Sequence, residues 1–432
     1  MKNMKTTNRI LQLSCFILSG MAFLNLSCQA QDLKKQNLEI FQIVWETVND
    51  HFYDPDFGGV DWKEQYEKYK PLVASCQSND SLYWHLNKMV FELNVSHLGV
   101  VPPEEVNDVG DPQLFFDGTL GMDIRILNDK VVITRIESGS SAEKAGLKAG
   151  AALLEIDGIT IDSIIKKRKS FPTPPFNDRN LRSLITQKIM ESLYGEPGTA
   201  VGLKYVDLNG IQKEVKLTMQ ERSFPKAFFM PGLPEIYASV KRQVFENQIA
   251  YVKFDVFHPV LLDTLVSIVR ETRELPAMII DLRGNPGGDF NTRRTLASQF
   301  VSQRTLFWKY RSRTELREVY LDPPDIPFEG KLVILVDELS ASSSEEFSGG
   351  LQAIGRAIIV GQQTPGKVLT MEVVPLPNGA IMIYPNQQTM TAKGEILEGR
   401  GVVPDIEVAL EPHFLSNGID SQLEKAIEFL KE

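Results

Sequence analysis

KLVILVDELSASSSEEFSGGLQAIGRAIIVGQQTPGK, residues 331–367, is the stretch on which the reading of the whole chain turns. Val333–Val336 is a continuous apolar run of strand length, as expected for a strand covered on both faces, and it stops at Asp337. Ser340, Ser342, Ser343 and Ser344 follow, and then Phe347, Leu351 and Ile354 recur at spacings of four and three, one face of a helix. The serines therefore stand at a helix start, where unpaired N–H groups and the positive end of the helix dipole favour a developing negative charge. The same position suits plain capping, with Glu345 or Glu346 in the first turn, so this stretch alone leaves capping and catalysis both open.

Ala357–Val360 reads as a second buried strand and Gly361–Lys367 as a turn. Gly361, Gly366 and Lys367 fall where a phosphate-binding loop would have them, but Val368 replaces the magnesium-binding hydroxyl and Pro365 removes one cradle N–H. The following VLTMEVVPL is rich in β-branched residues and reads as strand, whereas a phosphate loop must open a helix. That excludes nucleotide binding here. A lysine between apolar neighbours can instead lose its proton, because burial penalises the ammonium, and serve as general base to a serine.

DLRGNPGG (281–288), SASSSE (340–345), GRAIIVGQQTPGK (355–367) and GRGVVPDIEV (399–408) resemble, in order and spacing, the signature blocks of the C-terminal processing peptidases. These are tail-specific serine peptidases of a tricorn-related clan, with an inserted PDZ domain and a Ser-Lys dyad. The resemblance implies a multidomain α/β chain: a helical N-terminal unit, an inserted PDZ-like β-rich domain, and a mixed α/β peptidase core of the ClpP/crotonase-like type. It implies Ser342 as nucleophile, Lys367 as base, and an oxyanion hole of the Ser343 N–H with that of Gly287 or Gly288. Met371 and Ala353 stand where members place a glutamine or an aspartate, which leaves Glu345 as candidate third catalytic group. The tricorn-like branch takes a histidine from before the PDZ region; His97 in VSHLGV is the counterpart here and the alternative base, against a structural or supporting histidine.

At 432 residues the chain is too long for one ordinary core and implies two or three domains. Its net charge of -10 argues against nucleic acid or an anionic membrane surface as partner. Met1–Ala30 has a basic start (Lys2, Lys5, Arg9), an apolar run from Ile10 to Leu26 interrupted by Gln12, and a small-residue end, the layout of a secretory signal rather than a membrane anchor. Cleavage after Ala30 fits, and so does cleavage before Cys28 with lipid attachment, since Leu24, Leu26 and Ser27 form a loose lipobox. Past the signal only Cys76 accompanies Cys28, so no internal disulfide framework is expected. Export without disulfides suits a bacterial envelope compartment, the periplasm. No H-E-x-x-H or C-x-x-C spacing is present, and neither a metal nor another cofactor is expected.

The expected division is a signal over 1–30, a helical region over 31–111, a PDZ-like domain over 112–222, the peptidase core over 223–412 and a C-terminal helix over 413–432. Apolar spacing from Leu38 to Leu93 is helical, and Trp45, Trp62 and Trp84 are expected to pack that unit. TLGMDIRILNDKVVITRIESGSSAEKAGLKAGAALLEIDGITI resembles a bacterial PDZ domain, with Thr119, Leu120, Gly121 and Met122 at its carboxylate-binding loop. Strand addition at its edge would recruit peptide carboxyl termini; a packing domain with a closed groove is the alternative. KKRK, Lys166–Lys169, is too short for a nucleic-acid patch, and FPTPPF, 171–176, is expected to be a loop. So is Arg304–Glu329, with charges and prolines that suit the wall of a substrate groove.

Together these readings describe a secreted serine endopeptidase acting on protein or peptide substrates, with oligomeric state open. The rivals are a Ser-His peptidase using His97, a PDZ-bearing peptide-binding protein without catalysis, and a scaffold.

Overall fold

The helices that open the chain follow from its apolar spacing: residues 31–51 (α1), Trp62–Ala74 (α2) and Asn79–Val90 (α3). Asp61 and Ser78 cap the second and third, each side chain accepting the N–H three residues on. The computed structural model describes residues 31–108, 112–170, 178–224, 226–228 and 235–432. The expected signal, Cys28 and the proline-rich 171–176 lie outside them. Phe41, Val44, Tyr69, Leu86 and Met89 form the buried face of the helices, completed by Leu369, Met382 and Tyr384 from far along the chain. Trp62 is buried and Trp45 donates to its carbonyl at 2.9 Å, but Trp84 is 39% exposed, so only two of the three tryptophans serve this core. A short strand, Gly99–Val101 (β1), leaves the unit just after His97.

The PDZ sheet is antiparallel and runs in chain order: Met122–Leu127 (β2), Lys130–Ile136 (β3), Ala152–Ile156 (β4), Ala200–Val206 (β5) and Gln212–Thr218 (β6). β5 and β6 are the hairpin expected around Asn209-Gly210. The helix Asp178–Met190 (α4) packs against edge strand β2.

The peptidase core is a six-stranded sheet. Val240–Val244 (β7) pairs antiparallel with Ile249–Phe254 (β8); Ala277–Asp281 (β9), Lys331–Val336 (β12), Ile358–Gly361 (β13) and Ile406–Glu407 (β16) then continue it in parallel. Leu332 to Val336 are all buried because both faces are covered. Pro259–Glu271 (α5), Phe290–Ser298 (α6) and Ser343–Ala353 (α7) pack on one face, and Ser421–Lys431 (α8) on the other. The parallel order β9, β12, β13 sets the ends of β9 and β12 side by side, and both lead into glycine- or serine-rich turns.

One expected loop is not a loop. Within Arg304–Glu329, Thr305–Arg311 (β10) and Leu316–Leu321 (β11) form a hairpin, and Phe307, Trp308 and Tyr310 are buried in the core cluster with α7. The charged tip between the strands hid their apolar residues from a composition-based reading. β10 also pairs with the end of Ile381–Thr391 (β15), whose first residues lie between β1 on one edge and Thr370–Pro375 (β14) on the other, so the helical unit and the core share a second sheet.

The PDZ domain is fastened to the core by a buried ion pair. Arg125 on β2 meets Asp337, at the end of β12, at 2.7 Å, with both side chains under a tenth exposed. Asp337 also accepts the N–H groups of Gly284 and Leu339, and Arg125 together with these bonds holds its carboxyl below the usual range against the upward pull of burial. Leu339, two residues further, is part of the PDZ apolar cluster. Arg125→Leu strands a buried carboxylate, and a loss of about 3–5 kcal/mol follows. Denaturant unfolding of variant and parent checks this; a change under about 1 kcal/mol would mean that water replaces the arginine.

Candidate active site

β12 delivers the serine cluster to a turn in which all but one hydroxyl donates within the fold. Ser340 donates to the Leu282 carbonyl (2.8 Å), Ser343 to that of Gly288 (2.7 Å) and Ser344 to that of Asn285 (2.9 Å). Ser342 donates to no acceptor among the described residues and is partly exposed. It caps α7 in a capping box with Glu345 and sits at φ 52°, ψ −118°, a conformation L-residues rarely adopt. Capping and an available hydroxyl therefore coexist in one residue.

The turn after β9 lies against this serine. Asn285 is fully buried: its amide donates to the Phe254 carbonyl (3.0 Å), and its carbonyl accepts from the Ala341 N–H (3.1 Å) as well as from Ser344. Gly287 has φ +107°, and a Cβ there would come within 2.7 Å of the Ser343 nitrogen and 2.8 Å of the Ser342 Cβ. Its N–H donates to Asn285 Oδ1 at 2.9 Å. Of the two glycines named from sequence, Gly288 is the one whose N–H meets no protein acceptor among the described residues. Gly287→Ala pushes the N–H groups of Ser343 and Gly288 apart, and a fall in kcat of about 10²–10³-fold, typical of losing one oxyanion donor, is expected in steady-state hydrolysis.

Glu345 is fully buried and accepts from the N–H groups of Gly366 (2.7 Å), Lys367 (2.7 Å) and Ser342 (3.2 Å) and from the Thr364 hydroxyl. Burial raises its pKa and these bonds oppose the rise. It joins the first turn of α7 to the lysine turn. The Ser342 N–H also donates to the Lys367 carbonyl at 2.9 Å.

A second set of groups meets the same turn from the other side. Glu398 accepts from the Val368 N–H (3.0 Å), the Ser96 N–H (2.7 Å) and the Ser96 hydroxyl (3.0 Å). Ser96 Oγ lies 2.8 Å from His97 Nδ1. Burial pushes Glu398 up to about 7, and burial followed by the charge of Lys367 pulls His97 down to about 4. The imidazole is thus neutral at pH 7 with one nitrogen engaged. Lys367 Nζ donates to the Ser183 hydroxyl of α4 at 3.4 Å, and Arg179 of the same helix donates to the carbonyls of Thr364 (3.4 Å) and Arg400 (2.9 Å). The sequence reading missed Ser96, Glu398, Ser183 and Asn285. Glu398 immediately precedes the GRGVVPDIEV block, and Ser96 precedes His97, which are the only local signals that pointed to them.

The carboxylate-binding loop expected at Thr119–Met122 is occupied from within. Leu120 N–H donates to the Leu193 carbonyl (3.2 Å) and Gly121 N–H to the Thr119 hydroxyl (3.0 Å), while Leu120 and Met122 are buried. On β2 the carbonyl of Ile126 accepts from Arg182 at 3.2 Å. A peptide terminus meets no free N–H at Leu120 or Gly121 in this arrangement, which resembles the closed-groove alternative.

The comparisons with known proteins agree with this architecture. Residues 248–408 match peptidase family S41, residues 33–91 the tricorn protease C1 domain, and residues 113–170 the PDZ domain. A chloroplastic carboxyl-terminal-processing peptidase 3 from Arabidopsis thaliana is 24% identical over 374 residues, covering 84% of this chain and 67% of its own. A carboxyl-terminal-processing protease from a Picosynechococcus species is 23% identical over 397 residues, covering 90% and 88%. The fold superposes on a photosystem II D1 C-terminal processing protease with a TM-score of 0.58 at 20% identity, covering 92% of this chain and 97% of that one. Residues 248–408 are a peptidase family S41 domain, and the chain is a serine peptidase similar to the carboxyl-terminal-processing proteases. It carries a PDZ domain ahead of the catalytic core.

Proposed function

We propose that this peptidase is an exported endopeptidase that cleaves protein substrates through an acyl-enzyme on Ser342. The observation that carries this is that, among the described residues, Ser342 alone of the serines that open α7 has a hydroxyl donating to no protein acceptor, at a helix N-terminus facing a glycine turn whose Gly288 N–H meets none of their acceptors. Ser342 Oγ attacks the carbonyl carbon, its proton passes to a neutral base, and the carbonyl oxygen becomes an oxyanion between the N–H groups of Ser343 and Gly288. The protonated base then gives its proton to the leaving amine, and water, activated by the same base, releases the acyl group. We assign the base to His97: the Glu398–Ser96–His97 chain sets its tautomer, and it is neutral at pH 7. The Ser342-Lys367 dyad is the second reading, favoured by the bond between the Ser342 N–H and the Lys367 carbonyl, which keeps the two residues adjacent.

Export follows from the pattern of residues 1–30, and recruitment of carboxyl termini through the PDZ domain requires the loop at Thr119–Met122 to open. The test is hydrolysis of an unfolded protein by the purified chain together with labelling by a fluorophosphonate. Label on Ser342 accompanied by cleavage supports the proposal; binding of peptides with neither labelling nor cleavage would make the chain a binding module.

A further inference from the structure

The hairpin β10–β11 and the start of α6 enclose a surface cavity of about 270 Å³, lined by Phe290, Arg294, Arg304, Arg317, Tyr320 and Asp322 among others. Phe290 stands two residues after Gly288, a span of at most about 7 Å. One turn on, Arg293 reaches the Ser343 hydroxyl at 3.3 Å, so this cavity borders the oxyanion turn. Its charges are unbalanced. Asp322 serves both Arg294 (2.8 Å) and Arg304 (3.6 Å). Glu318, the other acid in the lining, accepts from the Tyr320 hydroxyl at 2.7 Å. Arg317 has no carboxylate partner among the described residues; its guanidinium lies over the rings of Tyr310 (5.4 Å) and Phe290 (6.0 Å). Arg304 lies likewise over Tyr320, 3.8 Å from the centroid. A guanidinium held by its face on an aromatic ring keeps its N–H edge for a planar, bidentate anion, and a carboxylate is the planar anion that a peptide carries.

We infer that this cavity is a substrate subsite for a carboxylate lying within about three residues of the scissile bond, with Arg317 as its recognition group. The carboxylate belongs either to an acidic side chain or to the substrate's own terminus; the chemistry is shared and the site would prefer anionic over neutral peptides. This inference rests on the reading of Ser342 as nucleophile, which places the scissile bond beside Phe290.

The experiment uses a set of peptides in which glutamate or glutamine is stepped through the four positions on each side of the cleaved bond, each peptide made with a free and an amidated carboxyl terminus. The expected result is a kcat/KM about tenfold higher for the acidic peptide at one or two adjacent positions, the size of one charge-assisted hydrogen bond. Arg317→Gln should collapse that ratio to near one, and Arg317→Lys should keep part of it. If amidation rather than the glutamate-to-glutamine change removes the preference, the carboxylate is the chain end. A ratio near one at every position and for both termini, or a preference unchanged in Arg317→Gln, overturns the proposal. Binding of the same peptides to the Ser342→Ala chain by fluorescence anisotropy separates the two levels. Arg317-dependent binding of acidic peptides to a chain that cleaves nothing leaves the subsite standing and removes the Ser342 reading; cleavage without acidic preference does the reverse.

Discussion

Replacing Ser342 by alanine is expected to lower kcat for peptide hydrolysis by about 10⁴–10⁶-fold, the range found when a serine nucleophile is removed, while the chain stays folded. The two halves of that expectation come from one observation. The Ser342 hydroxyl donates to no acceptor among the described residues, so its loss costs about 1 kcal/mol of helix capping. Ser344 offers the contrast: its hydroxyl is fully buried and donates to the Asn285 carbonyl, so Ser344→Ala should lower stability by about 1–3 kcal/mol with a far smaller effect on chemistry. Steady-state rates and thermal midpoints of the two variants, measured side by side, check both. Residual activity in Ser342→Ala near that of the parent would move the nucleophile elsewhere.

The second large effect concerns the base. His97→Ala should reduce kcat by about 10²–10⁴-fold with little change in substrate binding, because the imidazole carries protons in the chemical steps and does not hold the substrate. The pH profile carries the sharper test. With His97 at about 4, its neutral form prevails from pH 5 upward, so kcat/KM is flat there and falls tenfold per unit below pH 4. The charge of Lys367 is one cause of that depression, so Lys367→Met should let the histidine pKa rise and shift the acid limb to higher pH. If Lys367 is instead the base, Lys367→Met abolishes turnover and the parent profile rises on the alkaline side, where an ammonium loses its proton. The two readings thus predict opposite fates for one variant.

The residues to which the chemistry is assigned differ in how visible they were. Ser342, the Gly287-Gly288 turn and Lys367 each sit in a short contiguous block at the end of a buried strand, and apolar runs with their punctuation show where such strands end. The parallel sheet, the PDZ domain and the helices on either side were legible for the same reason: their patterns repeat within windows of ten to twenty residues. Local pattern also misled. The charges around Arg313 concealed a hairpin that buries Phe307, Trp308 and Tyr310, and Trp84 looked like its neighbours although it faces outward.

What the amino-acid order determined by itself is the set of strand ends and the reactive groups attached to them, because burial periodicity and turn chemistry are local. Only the tertiary structure decided which distant groups complete the site. Ser96 and Glu398 are 302 residues apart and meet through two hydrogen bonds, Ser183 reaches Lys367 from the PDZ helix, and Asn285 takes the N–H of Gly287, while that of Gly288 meets no protein acceptor among the described residues. A buried acid or hydroxyl has no sequence signature of its partner; the partner is chosen by the packing that removes both from water.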